Sequence, residues 1–384
     1  MKKLRVVVIG TGNIAGIAIR VLQGRDDVEL VGVWGRSKNI GIDAGLLDTD
    51  TPCGVVITDR EEDIFSLKPD CAVMALNLRD PREAQIVNGA WFIKLLENGI
   101  NVVTPSDGGL VYPPAHVDQA YVARLEKAAK RGNVSFYMNG QEPGFVEHMA
   151  LLGTTLSNTI KRITSYELFY YSTIKEREEM AFIFGFDEPV EKTAVLEMKG
   201  VQLSIWGNPI TNVAHKLGYE VERYEEQYEK RVTDKDIHVG FGVIKAGKVA
   251  AVRIRTSAIV QGREAVVVEH VNRMCEGIAP EWEKADTVGC MRIKIEGDPN
   301  ISMECSVGDP KKPEELGYDG YLMTVMRIVN AIPYVCAAPA GITTFRDLPL
   351  TTPSNALRSD VTSVEHKIMK AKAYSRSEDG RPFT

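Results

Sequence analysis

The stretch VVVIGTGNIAGIAIRVL (residues 6–22) passes from an apolar strand pattern into glycines and then into a helical pattern. Gly10-Thr11-Gly12-Asn13-Ile14-Ala15 forms a GxGxxA turn, with Gly16 following. It lies after a strand and opens a helix, the context in which such a turn holds a dinucleotide. Gly10 permits the tight turn, Gly12 lets the backbone approach a pyrophosphate, and Ala15 lets the helix press on the strand. Free N–H groups and the positive helix end face the phosphates. Gly10, Thr11, Gly12, Asn13 and Ile14 are therefore expected to bind the cofactor.

Outward from this turn, residues up to about 140 alternate strand and helix patterns. LRVVVIG, VELVGVWG, CAVMAL, INVVTPS and VSFYMNG read as strands. NIAGIAIRVLQ, PREAQIVNGAWFIKLLENG and PAHVDQAYVARLEKAAKRG read as helices, the second opened by proline and closed by Gly99. Such alternation predicts a parallel sheet covered on both faces. After about residue 150 the strands lengthen and alternate in polarity, as in TIKRITSYELFYYSTI, KVAAVRIRTSAIV and REAVVVEHVNRM. These predict antiparallel strands with one wet face. RYEEQYEKR (223–231) reads as the solvated side of a strand. YLMTVMRIVNAIP returns to a helix that stops at a proline. The expected fold is α/β: an N-terminal Rossmann domain (1–143), an α+β domain with a mainly antiparallel sheet for substrate binding and dimerisation (144–320), and a helix with a C-terminal strap (321–384).

A formal charge of −6 over 384 residues argues against nucleic-acid or anionic-membrane partners. No apolar run approaches the roughly 20 residues of a membrane span. The opening MKKLRVVVIG has an apolar run of only a few residues that ends in a glycine turn rather than a cleavage site, so it reads as a first strand and a cytoplasmic location is expected. The cysteines (53, 71, 275, 290, 305 and 336) form no CxxC pair and no zinc-ligand spacing. His215, His238 and His270 have no carboxylate or cysteine arranged beside them as metal ligands, and no catalytic metal is expected.

The end of the second strand reads VWGRSK. An NAD site usually places an acid there for the ribose 2′-OH. Here Arg36 and Ser37 stand in its place, a guanidinium and a hydroxyl suited to a 2′-phosphate. NADP(H) is the expected coenzyme and NAD(H) the alternative. Ligands lie beyond the carboxyl ends of such strands, which selects Leu76 and Asn77, Thr104 and Pro105, and the segment NGQEPGF (139–145). Pro143 suits the first position of a helix. Glu142 would then act as acid or base beside the nicotinamide, or else only cap that helix. Asp107 is a second candidate acid, or an ordinary turn aspartate. Tyr112 is a candidate wall residue and His148 a candidate proton shuttle. Of Tyr170 and Tyr171, alternation turns at most one toward a pocket.

VVVIGTGNIAG, NVVTPSDGGLVYP, NGQEPGFVEHM and VMRIVNAIPYVCAAPAGITTFRDLPL together resemble the dihydrodipicolinate-reductase-like oxidoreductases, on the branch of 2,4-diaminopentanoate dehydrogenase and the native amine dehydrogenases. The resemblance covers residues 1 to about 350 and is most specific in the last segment. It implies a Rossmann domain, a second domain with the substrate pocket and dimer contact, and a nicotinamide coenzyme. The amine dehydrogenases of that branch interconvert a ketone plus ammonia with an amine. Their counterpart of SDGGLVYP carries a glutamate pair where this chain has Gly108 and Gly109. Their counterpart of GQEPGF has asparagine where Glu142 stands. The acid usual on one loop is absent, and an acid has arisen on another. The resulting expectation is an NADP(H)-dependent oxidoreductase moving a hydride to or from a C=N or C=O carbon of a small or medium-sized ketone, imine or amine, working as a homodimer. A carbonyl reductase or alcohol dehydrogenase, and a non-catalytic NADP-binding sensor, are the alternatives.

Overall fold

A computed structural model describes residues 2–36, 38–76 and 81–357. Along the chain the elements run β1 (Leu4–Ile9), α1 (Asn13–Gln23), β2 (Val28–Trp34), β3 (Ile57–Thr58), α2 (Glu61–Ser66), β4 (Cys71–Met74), α3 (Pro81–Glu97), β5 (Asn101–Thr104), α4 (Gln119–Gly132), β6 (Ser135–Met138) and α5 (Phe145–Thr154). There follow β7 (Thr159–Tyr170), α6 (Arg177–Glu179, continued by a π-helical turn), α7 (Val201–Lys216), β8 (Arg223–Val232), β9 (Ile237–Val239), β10 (Gly242–Ile244), β11 (Val249–Val260) and β12 (Arg263–Arg273). The remainder comprises β13 (Gly289–Asp298), β14 (Ile301–Ser306), α8 (Leu316–Val329), α9 (Ile332–Ala337) and β15 (Gly341–Thr343). The described residues form two compact units, 2–145 with 320–357, and 146–319.

The first unit holds a sheet in the order β15-β6-β5-β4-β1-β2-β3, with every pairing parallel. Its middle is the doubly wound order in which a dinucleotide lies at the carboxyl ends of the strands. Val6–Ile9 and Cys71–Met74 are wholly buried, as strands covered on both faces must be. α1 spans the predicted residues and buries Ala15, Ile17, Ala18, Ile19 and Leu22. α4 begins later than the pattern suggested: Asp118 accepts from Ala120 N at 2.9 Å and fixes the start at Gln119. Pro143 is not the first residue of a helix. It follows a cis peptide bond in a turn, and α5 starts at Phe145. The predicted helix at 321 begins earlier, at Leu316, and Pro333 sits in the first turn of α9 rather than ending a helix. Pro313–Ala337 is, by length and composition, apolar enough to cross a membrane, where the sequence reading found no such run. It is broken into a 3-10 turn, α8 and α9, and α9 packs on β5 and β6.

The second unit holds a sheet in the order β14-β13-β7-β12-β11-β8. β7 and β12 are parallel; the other pairings are antiparallel. The expected wet face is absent from the central strands, since β11 and β12 are buried along most of their length. One face is covered by α7, which packs on β11 and β12 and whose Gln202 accepts from Thr256 Oγ1 at 3.1 Å. The other face is filled by ion pairs: Arg255 with Glu269 at 2.7 Å and with Glu264, Arg253 with Glu229, and Lys294 with Glu283 at 2.8 Å. Trp282 lies under Arg231 and Arg253, at 4.7 and 5.4 Å from the guanidinium carbons. These charges give the strands their alternating pattern, and their side chains remain partly exposed.

Candidate active site

The turn after β1 is built as its glycines require. Gly10 has φ +128°, and a Cβ there would lie 2.4 Å from the Ala75 carbonyl oxygen. The exit of β1 is therefore pressed against the exit of β4. Gly12 precedes α1 with no side-chain cap, and a Cβ on it would meet nothing within 4 Å. Open space over an uncapped helix start, with no acid in the first turn, suits a diphosphate: the first N–H groups have no partner within the helix and the dipole adds positive potential. Gly12 and Asn13 are exposed and Thr11 and Ile14 half-buried, so all four can touch a ligand. Gly35 makes room for Thr11, whose Cγ2 would stand 2.7 Å from a Cβ there.

Arg36 follows at the end of β2, half exposed and loosely paired with Glu83 at 3.9 Å. Ser37 and Asn77 lie outside the described residues. Leu76 is buried, its carbonyl accepting weakly from Ser106 Oγ at 3.5 Å. Thr104 ties the strand ends together, donating to Met74 O at 2.8 Å and accepting from Ser106 N at 3.0 Å. Pro105 continues that loop, half-buried.

Asp107 takes the left-handed conformation at φ +65°, which aspartate tolerates better than most residues. Burial pushes its carboxyl above the usual range; the neighbouring Tyr121 phenol pulls the other way but falls short of a well-formed hydrogen bond. Gly108 follows, and a Cβ on it would meet Pro143 Cγ at 3.2 Å. The loop that ends β5 thus lies directly against the turn that carries Glu142, itself half-buried.

That turn is braced by α8. Arg327 Nε donates to Asn139 Oδ1 at 2.9 Å, and Gln141 N donates to Thr324 Oγ1 at 3.3 Å. The Arg327 guanidinium also lies 5.8 Å from the Phe145 ring centre. Tyr137 is fully buried, which raises its phenol to about 12 despite the nearby Arg327 charge. Sequence reasoning did not single out Asn139, Thr324 or Arg327 as supports, although YLMTVMRIVNAIP carried two of them.

Residues 144–367, more than half of the chain, match the family model of the 2,4-diaminopentanoate dehydrogenase C-terminal domain. The chain belongs to that family. An amine dehydrogenase of Streptomyces virginiae is 29% identical over 350 residues, covering 90% of this chain and 96% of its own. The 2,4-diaminopentanoate dehydrogenase of Acetoanaerobium sticklandii is 27% identical over 381 residues, covering 96% and 100%. A solved amine dehydrogenase from Mycobacterium smegmatis shares the fold, with a TM-score of 0.69 over 91% of this chain and 97% of that one, at 20% identity. This member of the diaminopentanoate dehydrogenase family is an NAD(P)-dependent oxidoreductase.

In its second unit the structure corrects the reading of the histidines. His270 does have a carboxylate beside it: its Nδ1 is 3.3 Å from Glu167 Oε1, across the paired strands β12 and β7. His215 Nε2 lies 3.2 Å from Glu220 Oε2. Tyr171 turns to the same side as Glu167, donating to it at 3.0 Å. A cavity of about 540 Å³ in the first unit, bordered by Leu4, Asp70, Asn101 and Cys336, lies at the amino ends of the strands, the wrong end for the cofactor.

Proposed function

We propose that this enzyme is an NADP(H)-dependent dehydrogenase of amine dehydrogenase type, interconverting a C=O or C=N carbon with the corresponding amine, with Glu142 as its acid–base group. The observation that carries this reading is the contact between Gly108 and Pro143. The loop that lost the family's acid and the turn that gained one touch, so a carboxylate at 142 serves the same end of the sheet. The named relatives act as amine and 2,4-diaminopentanoate dehydrogenases, which supports the substrate class.

The bound nicotinamide supplies or accepts the hydride. The protein's part is to bind, orient and move protons. The uncapped start of α1 and the Gly12 backbone hold the diphosphate, and Arg36 pairs with the 2′-phosphate. Glu142 takes a proton from the ammonium that becomes the nucleophile and returns it to the leaving hydroxyl, so that loss of water is assisted. Asp107, with its raised pKa, is the second candidate donor. We further propose a homodimer formed through the sheet of the second unit, and a cytoplasmic location.

Gly108 and Gly109 favour one other reading, reduction of a carbonyl without ammonia. NADPH oxidation is therefore to be followed with a panel of ketones, with and without ammonium. Oxidation that requires ammonium supports the proposal. Oxidation indifferent to ammonium supports carbonyl reduction instead.

A further inference from the structure

Two cysteines far apart in the sequence meet at the amino ends of the first unit's sheet. Cys71 opens β4 and is wholly buried. Cys336 sits in the last turn of α9, the helix that packs on β5 and β6. Its Sγ lies 3.9 Å from the carbonyl oxygen of Asp70, the residue before Cys71. The two thiols are within hydrogen-bonding reach of each other, and both are free.

The pair is asymmetric in access. Cys336 is half-buried and borders the cavity of about 540 Å³ at this end of the sheet, together with Lys68, Asp70, Asn98 and Asn101. Cys71 has no exposed surface and lies behind it. Burial first, then the neighbouring Cys336 thiol and the Asp70 carboxylate, hold the Cys71 thiol well above its ordinary value. Cys71 therefore stays protonated and is a poor first nucleophile. A small oxidant entering the cavity meets Cys336 first. A reachable thiol with a second thiol against it is the arrangement of a reactive and a resolving cysteine.

We propose that Cys336 and Cys71 are a reversible redox pair, in which Cys336 reacts with a hydroperoxide and Cys71 resolves the product to a disulfide. The Cys336 sulfur attacks the hydroperoxide. The O–O bond breaks, an S–O bond forms, and the alcohol, or water from hydrogen peroxide, leaves with the thiol proton. The Cys71 sulfur then attacks the sulfenic sulfur. An S–S bond forms, the S–O bond breaks, and the hydroxyl leaves with the Cys71 proton as water. Two thiols are oxidised and one peroxide is reduced; exchange with a dithiol restores the pair. The bond ties α9 to β4. None of this depends on the coenzyme or on the acid–base reading.

The test treats the reduced, full-length protein with hydrogen peroxide in EDTA and maps its peptides by mass spectrometry without reductant. The expected product is a peptide pair joined through Cys71 and Cys336 and released by dithiothreitol. In Cys71→Ala the link is absent and dimedone traps a sulfenic acid at Cys336. In Cys336→Ala oxidation of Cys71 is at least tenfold slower than in the parent. Cys71 and Cys336 both remaining thiols while other cysteines oxidise, a disulfide from either to another cysteine, or Cys71 oxidising as fast without Cys336 overturns the proposal. If Cys71→Ala does not fold, the position of the link in the parent and the rate in Cys336→Ala decide.

Discussion

Gly10 and Gly12 are two residues apart and should fail in different ways. At Gly10 an alanine would adopt φ +128° and place its methyl 2.4 Å from Ala75 O. The backbone strain costs about 1–3 kcal/mol, and parting β1 from β4 costs about the same again as overpacking. The sum, roughly 2–6 kcal/mol, lowers Tm by about 4–24 °C for a unit of this size. At Gly12 the conformation (φ −83°, ψ −172°) is open to any residue, and the methyl meets nothing within 4 Å. Its cost to the fold is only that of a poorer helix cap, about 0.5–1 kcal/mol. The methyl does occupy the space a diphosphate needs. Losing one charge-assisted hydrogen bond costs about 1.5–3 kcal/mol, which is roughly 10- to 150-fold in Kd. Thermal unfolding of the apo proteins by circular dichroism and quenching of tryptophan fluorescence by NADPH measure both effects. If Gly12→Ala melts as early as Gly10→Ala, or keeps its NADPH affinity within twofold, the assignment of this turn is wrong.

Arg36→Ala should weaken NADPH by about 1.5–3 kcal/mol and leave NADH nearly unchanged; its exposed 3.9 Å pair with Glu83 adds little to the fold, so Tm should hold. Equal weakening of both coenzymes would count against a 2′-phosphate contact. Arg327→Met leaves the buried Asn139 Oδ1 without its donor and should cost about 1–3 kcal/mol, a fall of about 2–12 °C in Tm. The folded Asp107 carboxyl is raised, so between the unfolded and folded pKa the native state binds more protons and stability falls as pH rises. Asp107→Asn should therefore gain stability relative to the parent at pH 7, and that gain should shrink as pH falls toward the unfolded value of about 3.9. A gain independent of pH in urea titrations would show that Asp107 is not destabilised by its burial.

The first unit was readable because parallel strands buried on both faces are short apolar runs, and because GxGxxA needs its neighbours in a fixed order. α7 was not readable: Gly207 and Pro209 argue against a helix locally, and only packing on β11 and β12 overrides them. Long-range pairs were equally hidden. Arg327 and Asn139 are 188 residues apart, and Asn272 and Glu167 are 105 apart. Strand register and helix placement bring such groups together, and neither is written in local sequence. The charged residues of β11 were read as a wet face; they are only partly exposed because they pair with one another, and ion pairs and solvent leave the same alternation.

The central claim is that Glu142 does the acid–base work that Gly108 and Gly109 cannot. Glu142→Gln keeps the size and most of the hydrogen bonding but removes the exchangeable proton. The decisive measurement is the turnover of parent and Glu142→Gln with NADPH, a ketone and ammonium, alongside NADPH affinity and Tm. The account predicts a fall in kcat of roughly 100-fold or more with affinity and Tm nearly unchanged. Turnover within a few-fold of the parent, or a loss that only follows unfolding, would contradict it.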